Sequence, residues 1–190
     1  MNALRCEHVA SFPIPEDPDG RVTCVGTVRG NLATGHFSGP INVWSRSGER
    51  EAVLLGHSSP VRCIAETAFG DVMSASSDDL VRVWRDETCV LTLTGHTDTV
   101  WSVASHPAHP STFASGSWDE TAKVWDITSG ECVATLAGHD DWVMAVCVMS
   151  SGNVVTGCDD TSVRIWDAVT WGCTQVFRMA LSVRHLLAVG

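Results

Sequence analysis

The chain has 190 residues, 44% of them hydrophobic, with 12 Lys and Arg against 22 Asp and Glu, a formal net charge of −10 at pH 7. That length fills one ordinary domain, and the acidic balance argues against a nucleic-acid partner, which needs clustered Lys and Arg. No apolar run is long enough to span a bilayer, Met1–His8 lacks the basic-then-apolar pattern of a secretory leader, and no Asn-x-Ser/Thr acceptor occurs, so neither a membrane partner nor secretion is expected.

Residues 1–20 are poorly patterned: Ala3–Phe12 reads as an outer strand and Pro13–Gly20 as a turn-rich loop. Strand signals then come in fours, punctuated by turn residues such as Gly70–Asp71, Ser129–Gly130 and Ser151–Gly152. The first unit has strands near 21–28, 31–36, 40–44 and 50–55, and the second near 61–66, 71–76, 80–84 and 88–93. The third has them near 100–105, 111–116, 121–125 and 131–136, and the fourth near 143–148, 153–157, 162–166 and 172–177. No helix of useful length is expected. Ser182–Leu187 (SVRHLL) repeats the pattern of Pro60–Ala65 (PVRCIA), so 178–190 reads as the start of a fifth unit.

One stretch organises the rest. Ser111–Asp126 (STFASGSWDETAKVWD) reads as strand, tight turn at Asp119, and strand. It returns at Val72–Trp84 and Val154–Asp167, and in worn form at Leu32–Trp44. The closing residues Trp44, Trp84, Trp125 and Trp166 are spaced 40, 41 and 41 apart. A Gly-His pair precedes three of them, at His57, His96 and His139, with His-to-Trp separations of 27, 29 and 27. A repeat of this length, with Gly-His near its start and Trp-Asp at its end, resembles the WD40 family over nearly the whole chain. The resemblance implies an all-β propeller of four-stranded blades around a channel. Here it would have four complete blades, units of about 14–55, 56–94, 95–137 and 138–177, plus the first strand of a fifth. Since an open array leaves two exposed blade faces, a fragment of a larger ring is the favoured expectation, ahead of two copies pairing or of four blades closing alone.

Each well-formed unit carries His, Ser or Thr, Asp and Trp at fixed offsets: His57, Ser74, Asp78, Trp84; His96, Ser115, Asp119, Trp125; His139, Thr156, Asp160, Trp166. A Ser-His-Asp set can mark a hydrolase, but a catalytic site is needed once and this set recurs. The family resemblance implies instead a buried hydrogen-bond network in each blade, which meets the need to pair buried polar groups. No catalytic residue, metal or cofactor is assigned. The first unit keeps Thr34 and Trp44, but Ser38 replaces the Asp and Pro18 stands where the His is due, so it is expected to be the loosest blade or one packed against a part not in this sequence.

The eight cysteines form no C-x-x-C pair and follow the repeat, with Cys89, Cys132 and Cys173 opening the strand after each Trp and Cys24 and Cys63 in matching slots. They read as small buried strand fillers, which suits a reducing compartment, the cytoplasm first and the nucleus second. His106 and His109 sit in a Pro-rich loop and, without a third ligand, read as surface rather than as zinc ligands.

Three tryptophans are not the repeat's own. Trp118 precedes the turn Asp119, while Trp101 and Trp142 flank the first valine of an inner strand. The family resemblance puts these slots on the rim of one propeller face, together with Phe37, Ser77 and Asp159 before the turn and Arg62 and Met144 around the valine. Trp and Arg dominate binding hot spots, so this face is expected to bind a protein or peptide, with packing between blades as the competing role. The expected function is a non-enzymatic interaction scaffold. A ubiquitin-pathway adaptor is the alternative. Gly116–Trp125, the Trp84–Thr88 linker and Arg178–Val183 are similar to stretches of the phospholipase A2-activating protein family. The Arg that ligase substrate receptors carry two residues after Trp-Asp is absent at Ile127–Thr128 and Ala168–Val169, and Arg46 is out of register.

Overall fold

The computed structural model describes residues 21–105 and 108–186. Among them are sixteen strands and no helix, so no helix long and apolar enough to cross a membrane. The strands form four antiparallel sheets of four, each in sequential order. Blade 1 is β1 (Val22–Val28), β2 (Asn31–His36), β3 (Ile41–Trp44) and β4 (Arg50–Leu54). Blade 2 is β5 (Val61–Glu66), β6 (Val72–Ser76), β7 (Val81–Arg85) and β8 (Thr88–Leu93). Blade 3 is β9 (Val100–Ser105), β10 (Thr112–Ser117), β11 (Thr121–Asp126) and β12 (Cys132–Ala137). Blade 4 is β13 (Val143–Val148), β14 (Val154–Cys158), β15 (Ser162–Trp166) and β16 (Cys173–Arg178). Every bound falls within one residue of the sequence-based expectation. The strand expected at Ala3–Phe12 lies outside the described residues.

Blades stack because each inner strand presses branched side chains onto the blade before it. Val61 meets Gly35, Val143 and Val146 meet Gly116, and Val183 meets Gly157. A Cβ at Gly116 would stand 2.8 Å from Val143, so the close approach needs glycine. The apolar clusters therefore lie between blades. Val28, Ile41 and Leu54 of blade 1 pack with Val61, Ile64 and Trp84 of blade 2. Leu93 packs with Val103, Phe113 and Trp125, and Leu136 with Val143, Val146 and Trp166.

The segment 182–186 departs from expectation. Val183 takes the position of an inner-strand valine, and its N–H donates to Cys158 O at 3.0 Å, but the segment forms no strand. A strand is a paired element, and among the described residues none pairs with it.

The repeated polar residues form one network per blade. In blade 3, His96 Nδ1 lies 2.7 Å from Asp119 Oδ2, His96 Nε2 lies 2.7 Å from Ser115 Oγ, and Trp125 Nε1 donates to the same hydroxyl oxygen at 2.8 Å. Blade 2 repeats this through His57, Asp78, Ser74 and Trp84 at 2.8 Å throughout. Blade 4 uses His139, Asp160, Thr156 and Trp166 at 3.1, 2.6 and 2.9 Å. The carboxylate accepts, so the ring proton sits on Nδ1 and Nε2 accepts from the hydroxyl. Each Asp also takes a loop backbone N–H, from Ser58, Thr97 or Asp140.

Blade 1 solves the same problem with different residues. His36, on β2 itself and fully buried, replaces the loop histidine. Its Nε2 lies 3.0 Å from Thr34 Oγ1 and 2.9 Å from Asn42 Nδ2, and Trp44 Nε1 donates to Thr34 Oγ1 at 2.9 Å. Ser38 stands where the other blades have the turn Asp, and Gly39 follows at φ +109° against the backbone of His57. Pro18 lies outside the described residues.

The cysteine expectation holds only in part. Cys147 and Cys158 are buried, and Cys24, Cys63 and Cys89 are half-buried. Cys132 and Cys173 are exposed, because β12 and β16 are the outermost strands of their blades.

Burial opposes the charge on Asp119, but hydrogen bonds from His96 and Thr121 outweigh it and hold the carboxyl well below the usual carboxylate range. Asp78 and Asp160 move the same way under the same balance. Burial lowers His139 below its ordinary 6.5, with Asp160 opposing. The depressed carboxylates stabilise the fold above about pH 4 and lose that contribution as pH falls through their folded values. His139 contributes fully above 6.5 and loses its share on the way down. Acidification from pH 6.5 to 4 is therefore expected to lower the melting temperature, even as it relieves self-repulsion. A midpoint that holds or rises over that range contradicts this account. Substituting His96→Ala strands Asp119 and Ser115, and is expected to cost about 2–3 kcal/mol in denaturant unfolding. An unchanged unfolding midpoint would refute a structural role.

Candidate functional site: an aromatic face across three blades

Two local devices aim side chains at one end of the blades. The first is a β-bulge in each inner strand. Val61 pairs with Ser76 and Cys63 with Ala75, which leaves Arg62 unpaired. Thr23, Trp101 and Met144 are skipped in the same way. A bulge re-aims the extra residue. The second device is the turn between the second and third strands. The residue before its Asp (Ser38 in blade 1) donates its backbone N–H to the residue before the inner valine. Phe37 reaches Arg21, Ser77 reaches Pro60, Trp118 reaches Thr99 and Asp159 reaches Trp142, each at 3.0 Å. Bulge slot, turn slot and pre-valine slot are thus neighbours in every blade.

In blades 2 to 4 these slots build one continuous stack. The Arg62 guanidinium lies 4.9 Å from the Trp101 ring centre. Trp101 and Trp118 stack at 5.3 Å and 16°, and Trp118 and Trp142 at 4.3 Å and 12°. Arg62 Nε also donates to Ser77 Oγ at 2.7 Å. Trp118 is sandwiched between Trp101 and Trp142, with no partner for its buried Nε1 among the described residues, while Trp142 ends the stack at 40% exposure.

The remaining expected rim residues are distributed unevenly. Asp159 walls a cleft of about 320 Å³ together with the three tryptophans. Met144 is the buried floor of that cleft, not an exposed contact. Phe37 stands apart in blade 1 under Arg21, 4.6 Å from its ring centre. Arg184 and His185 line the same cleft and were not assigned to the face from sequence. Arg184 forks onto Asp159 at 3.3 and 3.4 Å. The signal was present, since Arg184 follows Val183 as Arg62 follows Val61.

The face is acidic. Burial and then the neighbouring carboxylates of Asp98, Asp78 and Asp119 raise the Asp79 carboxyl above its ordinary value, which records how closely these acids gather across blades 2 and 3. Asp140 and Asp141 add two exposed carboxylates beside Trp142.

The catalytic and metal alternatives meet the geometry as follows. The Ser74 and Ser115 hydroxyls are wholly buried and shared between an imidazole and an indole. A nucleophile needs exposure in a cleft, and these have none. His139, Cys158 and Asp160 place ligand-type atoms within 4.8 Å of one another. Serines 76 and 117 hold the Cys158 slot in blades 2 and 3, with the same contact to a loop carbonyl. Burial pushes the Cys158 thiol up to about 12, against a metal-binding thiolate. The set is the blade 4 copy of the structural network, the third after those of blades 2 and 3. His109 Nε2 lies 3.2 Å from Ser150 O, in the turn of blade 4, and His106 lies outside the described residues.

Comparison with known proteins fits this architecture. The chain is 28% identical to a ribosome biogenesis protein WDR12 homolog of Drosophila virilis over 87% of its length, and 27% identical to that of Drosophila mojavensis over the same share. It spans about half of those relatives, 47% of each. Among solved structures it resembles the WD40 β-propeller domain of Doa1, with a TM-score of 0.77 and 24% identity over 86% of this chain and 56% of that one, a likeness of fold alone. The profile of the WD domain, G-beta repeat family matches residues 48–85, 87–126 and 130–167, more than half of the chain. With those matches laid over blades 2 to 4 and their repeated networks, the chain belongs to the WD40 repeat family.

Proposed function

We propose that this chain is a non-enzymatic interaction scaffold, and that it binds a protein or peptide through the face carrying Trp101, Trp118 and Trp142. The observation that carries this reading is the stack itself: three tryptophans that the blade network does not use, ending in an exposed ring beside a cleft. Exposed aromatic surface of this kind marks interaction sites. The names of the curated relatives favour a partner within a ribosome-building assembly, and with it a nuclear location over a cytoplasmic one. The ubiquitin-adaptor alternative draws only on the short stretches Gly116–Trp125, Trp84–Thr88 and Arg178–Val183.

Stacked aromatic pairs contribute about 0.5–1.5 kcal/mol each beyond their buried area, a modest share of an ordinary domain's stability of roughly 5–15 kcal/mol. A Trp101→Ala/Trp142→Ala double variant is therefore expected to stay folded by circular dichroism and to lose its partners in affinity purification. Full retention of partners by the folded variant would defeat this reading.

A further inference from the structure

The tryptophan stack is capped at one end and bare at the other. At the blade 2 end, Arg62 covers Trp101 with its guanidinium and is tied to Ser77. At the blade 4 end stands Trp142, and among the described residues no cation lies over its ring. The π face of an indole attracts a cation electrostatically, and parallel stacking leaves that outer face of Trp142 turned away from Trp118.

The surroundings favour positive charge as well. Asp141 Oδ1 accepts from the Trp142 backbone N–H at 2.8 Å, which fixes a carboxylate at the foot of the ring. Asp140 is exposed beside it, and Asp98 and Glu120 are exposed on the adjoining blade. The two arginines of this region are both engaged, Arg62 on Trp101 and Ser77, and Arg184 on Asp159. A basic partner would be steered here and an acidic one repelled.

We infer that the partner docks through an Arg or Lys side chain seated on the open ring face of Trp142, with Asp140 and Asp141 compensating its charge, as Arg62 already caps the far end. This rests on reading the face as a protein-docking surface and names the chemistry that surface selects.

The test is a random peptide library displayed on phage, selected on the folded chain and counter-selected on the Trp142→Ala variant. Peptides enriched in Arg or Lys are expected. A synthetic copy of the best peptide should bind roughly three- to tenfold more weakly to Trp142→Ala. It should also weaken with Asp141→Asn and with rising salt, keep most of its affinity for Trp142→Phe, and be indifferent to Glu131→Gln at the opposite end of blade 3. Trp142-dependent peptides that are apolar or acidic would overturn the cation while leaving the docking face standing. Failure to obtain any Trp142-dependent peptide from a folded wild type would overturn both.

Discussion

The closing indole of each repeat is buried and its N–H is costly to leave without an acceptor, and in blades 2 to 4 meeting that cost ties four parts of the blade together. The indole on the third strand donates to a hydroxyl on the second. The hydroxyl reaches a histidine in the loop that enters the blade, and the histidine is held by a carboxylate in the turn between the two strands. Leaving any one of these groups unpaired costs about 1–3 kcal/mol. The loop and the turn are therefore fixed relative to the strands, although both lie at the end of the blade, where loops ordinarily move. Residues after the turn Asp accept left-handed backbone to keep it, at Asp79, Glu120 and Thr161.

Blade 1 shows that the constraint acts on hydrogen bonding and not on residue identity. Its loop histidine and turn Asp are gone, yet Trp44 still donates to Thr34 and an imidazole still meets that hydroxyl. His36 supplies it from the strand, in the slot where blades 2, 3 and 4 have Ser76, Ser117 and Cys158. The indole and its hydroxyl keep their bond while the histidine comes from a different element, because leaving the Trp44 N–H unpaired would cost about 1–3 kcal/mol.

Rigid turns and a bulge in every inner strand give each blade the same three outward slots. The scaffold does not prescribe what fills them. Blade 1 has Phe37 under Arg21, blade 2 has Ser77 bonded to Arg62, and blade 3 has Trp118 on Trp101. Blade 4 has Asp159 paired with Arg184. These contents differ while the backbone contact beneath them keeps one length, 3.0 Å. Likeness of fold to Doa1 speaks for the scaffold alone, so binding chemistry has to be read from the side chains.

The sequence by itself determined the blades. A period of 40 to 41 residues, alternating apolar strands and recurring His, Asp and Trp specify strands to within a residue and three of the four networks, because these depend on contacts inside one repeat. Contacts between repeats were beyond it. Trp101, Trp118 and Trp142 were legible as surplus aromatics, but their joining into one stack depends on bulge geometry and on how blade 4 docks on blade 3. His36 was hidden because its motif is off-register, and Met144 reads as a rim residue until neighbouring blades cover it. The fate of 182–186 was equally undecided, since a strand-like pattern becomes a strand only when a second strand pairs with it. Local periodicity writes the elements. Which side chains meet across them is decided by the packing of one blade on the next.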